Sequence, residues 1–531
     1  MSIYKMRTQF GGALKVLLGI IAFGFLVGAI FSFGVAPSWQ GSETSGGSDV
    51  VAIVNGSEIK REEYESAWQK AMYEANDRGI RSPLQYAEIR SMIFQQLVQS
   101  RLILAAAAEM GVDISNKKVN QEIDKAVVEY LKQNRDVILG KPRRGEDRPA
   151  DPRDDRNYKN ELKSIGSSID EQEKIARSRV SEDQVRAQLA YEGIQSKIKA
   201  SIKPVTDADV KASYNVYKIR QIVLSAGALP KEQISAKAKK IREAAVKGGD
   251  FAKLARENSD HPTKDQGGKT ELTFENRWFL PPQVREVIYR MNPGNVSPVI
   301  DTQLGYYIVK LEAIEPRLPA KLDKKAMEER RKQIRQDREM NAQIDFQESL
   351  NKKQSVKVID PELEAYWRLY EARQLFSDKA AYDKKMRMAI SALRRAIKER
   401  PNNDVAAVKL AQLLNDQGKT EEAIRILYPM LEGKNARIEG ADLRMLLGDM
   451  LVKTGEKDKA IENYKIASEI ARADLMVHQQ LVAKYQELKR PDLVAAEQKW
   501  IEEFNKRAEA IRNLQEKATP KPAPKAPKTG R

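Results

Sequence analysis

Apolar residues are spaced differently in successive regions of the chain, and this spacing predicts the secondary structure. Residues 16–35 form a run without a charged side chain. Short runs such as Ile219 to Leu224 are rich in β-branched residues, which favours buried strands. Most of the remaining sequence places apolar residues three or four positions apart, which is typical of amphipathic helices. We therefore expect a multidomain, mainly α-helical protein with small sheets behind an apolar N-terminal segment.

The apolar run has the length of a transmembrane helix, because about twenty residues match a hydrocarbon core of about 30 Å. Basic residues precede it and acidic residues follow it, which by the positive-inside rule leaves the N-terminus in the cytoplasm. We predict a cytoplasmic segment over 1–15, a single-pass anchor over 16–37 and a flexible stalk over 38–49. A cleaved signal peptide is the alternative, although its apolar core ordinarily has only about 7–15 residues.

A β-hairpin follows the stalk. Val50 to Val54 and Ser57 to Ile59 flank the dipeptide Asn55-Gly56, which tolerates positive φ at both central positions of a type I′ turn. Helical periodicity then covers 89–110, the residues after the Ser115 cap, and 169–202.

Two further segments complete the first half of the chain. The stretch between Gly140 and Asn157 is crowded with Pro, Arg and Asp, which predicts an exposed loop. A long charged helix over 321–350 leads to a short strand over 356–359.

Five landmarks occur in a fixed order between Tyr217 and Pro316. They are Lys218 to Leu224, Asp250 to Asp260, Gly267-Gly268, Pro293 to Val299 and Leu304 to Lys310. In this order they resemble the parvulin class of peptidyl-prolyl isomerases, which implies an α+β domain over 214–316. Such an isomerase needs no nucleophile or metal, because it lowers a rotational barrier of about 18–20 kcal/mol by binding the twisted amide.

The resemblance also indicates where a catalytic site would lie. Two positions at which parvulins carry histidine hold Gln221 and Tyr307 here, and a third family position corresponds to His261, next to Asp260. Gln and Tyr can donate and accept hydrogen bonds. Two interpretations therefore stay open, since these residues either form a catalytic network or fill the sheet interior.

The resemblance assigns the apolar wall for a substrate proline to Leu280 and Val284, with Phe279 beside them. The replaced histidines favour peptide binding over catalysis.

The segments around the parvulin-like domain resemble a second family. The runs Val51 to Ile59, Leu97 to Leu104 and Met110 to Ser115 are similar to the amino-terminal domain of SurA- and PpiD-type periplasmic folding factors. The resemblance implies a helical chaperone domain over 50–203, completed by a returning helix and strand over 317–359. The parvulin-like domain is then an insertion.

A repeat follows in the C-terminal part. Ala389-Ile390, Ala423-Ile424 and Ala460-Ile461 recur 34 and 37 residues apart, since 423 − 389 = 34 and 460 − 423 = 37. This period resembles tetratricopeptide repeats and implies an α-solenoid over 360–513. Such an array binds a protein partner in its groove, or it packs only on its own chain. The Pro- and Lys-rich residues 514–531 predict a disordered basic tail.

Composition excludes several kinds of chemistry. The chain has 531 residues, a formal net charge of +17 and no cysteine, so it has no disulfide, thiol nucleophile or Cys-ligated zinc. Only His261 and His478 are present, which excludes a His-based metal cluster, and we expect no metal and no cofactor. Acidic residues are interleaved with the basic ones, which favours solvated helix faces over nucleic-acid binding.

These features predict a chaperone or foldase in the bacterial inner membrane, with most of the chain in the periplasm. Its partners would be unfolded or nascent envelope proteins and a protein bound by the repeats. One alternative is an active parvulin-type peptidyl-prolyl cis-trans isomerase, and another is an envelope assembly scaffold built on the repeats.

Overall fold

The computed structural model describes residues 49–77, 82–142, 146–225, 231–302, 304–319, 322–375, 379–433 and 436–518. They divide into two compact units, of which the first contains 49–65, 94–359 and 367–387 and the second contains 66–93, 360–366 and 388–518. The predicted segments 1–15 and 16–37, and the stalk before Asp49, lie outside the described residues. Within the described ranges, no helix has the length and apolar character needed to cross a membrane.

The N-terminal part of the chain is a hairpin followed by helices. Its elements are β1 (Val50–Val54), β2 (Ser57–Lys60), α1 (Arg61–Asp77), α2 (Pro83–Glu109), α3 (Asn116–Leu139), α4 (Arg156–Ser164), α5 (Ile169–Arg179), α6 (Glu182–Ser201) and α7 (Asp207–Ala212). Asn55 and Gly56 have φ values of 46° and 83°, which confirms the predicted positive-φ turn. The periodic stretch 169–202 is two helices, because Ser181 caps the N-terminus of α6.

The hairpin receives a third strand from far along the chain. The long helix α11 (Lys324–Lys353) leads to β7 (Val356–Val358), which pairs antiparallel with β1. The Asn55 backbone N–H donates to the Ser355 carbonyl at 2.8 Å, and the Ser355 N–H donates to the Asn55 Oδ1 at 2.8 Å. The turn residue therefore also fixes the entry of the returning strand.

The stretch predicted as an exposed loop, 140–157, is only partly exposed. Pro152 to Asp154 form a 3₁₀ turn, and α4 begins at Arg156. Asp155 caps α4 and forms a buried ion pair with Arg135 at 3.1 Å. The prediction of an exposed loop was wrong at this point. A charged residue such as Asp155 would otherwise stay in solvent, and its pairing with Arg135 allows it to be buried.

Residues 214–316, which we call the inserted unit, contain β3 (Asn215–Ser225), α8 (Lys231–Val246), α9 (Phe251–Asn258), β4 (Lys269–Leu272), α10 (Pro282–Tyr289), β5 (Ile300–Thr302) and β6 (Gly305–Pro316). The strands form an antiparallel sheet in the order β4, β3, β6, β5. Ile222, Leu224 and Ile308 lie in the core cluster with α8 and α9. Ile219, Val223 and Val309 lie in a second cluster with α10. The sheet is therefore covered on both faces.

The C-terminal helices are α12 (Pro361–Gln374), α13 (Lys379–Glu399), α14 (Asp404–Asp416), α15 (Thr420–Leu431), α16 (Ala441–Lys453), α17 (Lys457–Ile470), α18 (Leu475–Glu487) and α19 (Pro491–Ala518). They pack as the pairs α14 with α15, α16 with α17 and α18 with α19. Gly448 lies against the Tyr464 ring and leaves no room there for a Cβ atom. Helix α19 continues into the predicted tail.

His478 is a packing residue of the C-terminal helices. It is buried, its ring stacks on Trp500 with centroids 3.5 Å apart, and its Nδ1 lies 2.5 Å from Glu497.

Gly268 allows the loop before β4 to approach β3. Its φ is +76°, and a Cβ atom there would collide with the Gln221 carbonyl oxygen. The Gln221 N–H donates to the Gly268 carbonyl at 2.9 Å. The glycine pair at 267–268 is thus a close backbone contact beside the candidate site.

We expect Gly268→Ala to destabilise the inserted unit, because alanine adds both left-handed strain of about 1–2 kcal/mol and the collision with β3. Gly294→Ala is the matched control, since Gly294 has φ +91° and an open space around its Cβ position. Thermal unfolding and hydrogen exchange of the β3 amides measure the difference. Equal effects of the two substitutions would contradict the proposed close contact.

Candidate functional site

The pairing of β3 with β6 places the two replaced histidine positions on one face of the sheet. Val223 lies opposite Tyr307, and Gln221 lies opposite Val309. Side chains alternate between the faces of a strand, so Gln221 and Tyr307 are diagonal neighbours, typically about 7–8 Å apart. The structure therefore brings these two sequence-predicted residues to the same region of the sheet.

Gln221 meets His261 at the edge of this region. The Gln221 Nε2 lies 3.4 Å from the His261 Nδ1, and Gln221 is only 2 % exposed. Among the described residues, the Gln221 Oε1 is buried without a hydrogen-bond partner. An unpaired buried acceptor costs roughly 1–3 kcal/mol, so the hydrogen bonding of Gln221 is incomplete in this site.

The surroundings of His261 define its tautomer. The Thr263 backbone N–H donates to the His261 Nδ1 at 3.2 Å, and the Thr263 hydroxyl lies 2.9 Å from the same atom. Because the Nδ1 accepts a hydrogen bond from a backbone N–H, the neutral imidazole carries its own proton on Nε2. Burial lowers the pKa of His261 below its ordinary value of 6.5. The ring is therefore a neutral donor at neutral pH.

Ser259 and Asp260 attach the loop of His261 to the end of β3. The Ser259 hydroxyl accepts from the Val223 N–H at 3.1 Å and from the His261 N–H at 3.2 Å. The Asp260 N–H donates to the Val223 carbonyl, and its carboxylate accepts from the Ser225 N–H at 2.8 Å. Asp260 is exposed and extends the strand's hydrogen bonding, so this contact is structural in character.

The predicted apolar wall is a closed part of the core. Leu280 and Val284 lie in one cluster with Tyr307 and Val223. Val284 is fully buried, Tyr307 is 6 % exposed, and burial raises the pKa of the Tyr307 phenol to about 12. Phe279 does not belong to this cluster, because it is 73 % exposed. The Tyr307 ring therefore packs in the same core cluster as the predicted wall residues.

The wall helix α10 is also fixed from its outer side. Asp337 of α11 lies 3.0 Å from the Arg277 guanidinium and 3.7 Å from that of Arg285. Gln283 donates to the Glu348 carboxylate at 2.9 Å. Both arginines are buried, and the cost of burying a charge is offset only where a partner is held in good geometry. This restrains the movement of α10 that would open the wall.

The sequence did not single out Ser259, Thr263, Arg277 or Arg285. The local signal for Ser259 and Thr263 is weak, because it consists only of their position near His261. The arginines pair with Asp337, which lies 60 and 52 residues further along the chain (337 − 277 = 60 and 337 − 285 = 52), and no local pattern indicates that contact.

The architecture is a helical domain interrupted by a rotamase-type sheet domain and followed by helix pairs. Residues 3–135 match the SurA-like N-terminal domain, residues 221–313 match the PPIC-type PPIASE domain, and residues 333–490 match a tetratricopeptide repeat-like domain. The chain therefore carries these three domains in one polypeptide. This combination fits a PpiD-type folding factor.

SurA and PrsA proteins are among its relatives. The Chaperone SurA of Cupriavidus pinatubonensis is 27% identical over 280 residues, which cover 52% of each chain. The Foldase protein PrsA of Caldanaerobacter subterraneus subsp. tengcongensis is 24% identical over 50% of this chain and 74% of its own. The match thus spans about half of the SurA relative. A solved PpiC-type isomerase domain is 27% identical over 20% of this chain and 95% of its own, with a TM-score of 0.19.

We expect His261 to titrate below pH 6.5, because burial and the Thr263 donors favour its neutral form. NMR of the imidazole C–H signals measures this, and His478→Gln assigns the only other histidine. Thr263→Val should move the midpoint toward 6.5, while Thr302→Val should not.

The same shift has a consequence for stability. In the unfolded chain His261 takes up a proton near pH 6.5, whereas in the folded chain it does so only at a lower pH. The stability that the neutral His261 ring contributes is therefore lost as the pH falls from 6.5 through the lowered pKa. A His261 midpoint at or above 6.5 would refute the assignment.

Proposed function

We propose that this protein is a membrane-anchored periplasmic chaperone that binds unfolded or newly translocated envelope proteins, and that its parvulin-like domain acts without isomerase turnover. The observation that carries the second part is the closed core around Tyr307, Leu280 and Val284. The first part rests on the SurA-like domain and on relatives that are called Chaperone SurA and Foldase PrsA.

An apolar layer in the first unit supports client binding. Helices α2 and α6 share a buried cluster, and partly buried apolar side chains of these helices and of α11 pack against it, among them Leu104, Tyr191 and Phe346. A cleft of about 520 Å³ lies near it, between the end of α6 and α11, with Ile202, Pro204 and Arg338 in its lining. An unfolded segment gains about 1.5–3 kcal/mol for each large apolar side chain that it buries on such a surface.

The proposed anchor over 16–37 and the periplasmic location of the remaining chain rest on the apolar run and its flanking charges. An envelope location accords with the chaperone and foldase relatives. The composition is compatible with such a location, because a chain without cysteine forms no disulfide in an oxidising compartment.

The absence of turnover is the simplest consequence of a closed wall. We expect a proline peptide to relax between its cis and trans forms at the same rate with and without the full chain. The uncatalysed relaxation takes about tens of seconds at 25 °C. A protease-coupled or NMR exchange assay measures this rate. Acceleration that Leu280→Ala or Asp260→Ala abolishes would favour the active isomerase instead, with Gln221, His261 and Tyr307 around the substrate.

The apolar layer should determine client affinity. We expect Leu104→Ala and Phe346→Ala to weaken binding of a chemically unfolded envelope protein, by about tenfold for each 1.4 kcal/mol of lost apolar contact. Ile511→Ala is the matched control, because Ile511 is an exposed apolar residue on α19. Fluorescence anisotropy and aggregation suppression measure binding, and thermal unfolding checks the fold. An equal loss with Ile511→Ala would argue against this surface.

A further inference from the structure

Part of the N-terminal sequence packs in the second unit among the repeat helices. Ser82 donates to the Asp442 carboxylate of α16 at 2.5 Å, across 360 positions of sequence. The Lys409 ammonium of α14 lies 2.5 Å from the Glu88 carboxylate. Two N–H contacts of 3.0 and 2.9 Å join Arg90 to Glu362 of α12. One short helical stretch thus contacts three different helices of the repeat region.

Glu362 is the most deeply buried of the three partners in the repeat region. Glu362 is 1 % exposed, and its carboxylate also accepts from the Asn403 amide at 2.6 Å and from the Tyr366 hydroxyl at 2.9 Å. Arg90 is further covered by the Trp68 ring, 4.6 Å from the guanidinium carbon. One guanidinium nitrogen of Arg90 contacts both carboxylate oxygens, and charge-assisted hydrogen bonds of this kind are stronger than neutral ones. The Arg400 guanidinium lies 3.8 Å from the same buried carboxylate, so Arg90 and Arg400 balance its charge together.

The helix is held from more than one side. Glu88 and Arg90 are two positions apart, which is about 200° around a helix, and yet both reach the repeat helices. Between them in angle lie Ala87 and Ser91, which are both buried. Small residues four positions apart allow close approach of a neighbouring backbone. The stretch therefore places two small buried residues between the two charged residues that reach the repeat helices.

We propose that the surface formed by α12, α14 and α16 is a binding site for a helix, and that its ligand is residues 82–93 of the same chain. The site selects an acidic residue toward Lys409, an arginine toward Glu362 and a hydroxyl toward Asp442. The repeat helices hold the N-terminal helix of their own chain through this surface, which an outside protein reaches only by displacing that helix. This inference does not depend on the proposed chaperone function.

The chain contains no cysteine, so introduced thiols can report the contact in the full chain. We expect Ser82→Cys with Asp442→Cys to form an intramolecular link with a short thiol crosslinker. Asp449→Cys with Lys484→Cys is the positive control, because the Lys484 ammonium lies 2.9 Å from the Asp449 carboxylate within the repeats.

A charge exchange then tests the recognition itself. Lys409→Glu should lower the yield of the Ser82–Asp442 link severalfold by placing two acids together, and adding Glu88→Lys should restore it. Lys459→Glu, an exposed change elsewhere in the repeats, should leave the yield unchanged.

Three results would overturn the proposal. The first is no link at 82 and 442 while the control pair reacts. The second is a link that joins two copies of the chain, because the helix would then come from a second molecule. The third is a failure of Glu88→Lys to restore the yield in a chain that keeps its wild-type helical circular dichroism.

Discussion

The antiparallel pairing of β3 with β6 is the interaction on which the inserted unit depends. It runs from Asn215 opposite Pro316 to Ser225 opposite Gly305. This register decides which side chains face α10 and which face α8 and α9, and a shift of one residue would exchange the two sets. It also places Tyr307 against the wall residues and Gln221 beside His261. The candidate site is therefore a consequence of strand register, with the loop residues added at its edge.

The character of that site follows from how completely it is packed. A rotamase must admit a proline ring and then bind its twisted amide better than the planar forms. Here the Tyr307 ring packs among the wall residues, and burial raises the pKa of its phenol to about 12, so it stays protonated across the physiological range. Asp337 holds α10 from the other side through Arg285, and it also pairs with Arg277 in the turn before this helix. Opening the wall would expose apolar surface and break this ion-pair group together.

Features with a local cause could be predicted from the sequence, and features with a distant cause could not. The Asn55-Gly56 turn follows from the backbone preference of two adjacent residues, and the helix pairs follow from a spacing near 34 residues. The parvulin-like landmarks identified the region of the site. By contrast, the tautomer of His261 depends on how the Thr263 backbone turns back to it. The burial of Asp155 depends on Arg135, and the surroundings of Ser82 depend on a residue 360 positions away. Composition alone predicted an exposed loop around Asp155.

The same register also explains how one domain can be inserted in another without disturbing it. Because Asn215 pairs with Pro316, the chain enters and leaves the inserted unit at adjacent points. The Arg317 N–H donates to the Tyr214 carbonyl at 3.1 Å, which extends this pairing by one further contact. Neighbouring ends are the condition under which domain insertion is tolerated. The segment that leads into the inserted unit is held as well, since Arg338 of α11 donates to the carbonyl groups of Lys203 and Pro204 and pairs with Asp209 of α7 at 3.1 Å. Helix α11 thus contacts both the segment that leads into the inserted unit and the helix that closes its apolar wall, so the position of the unit and the closure of its site have one common support.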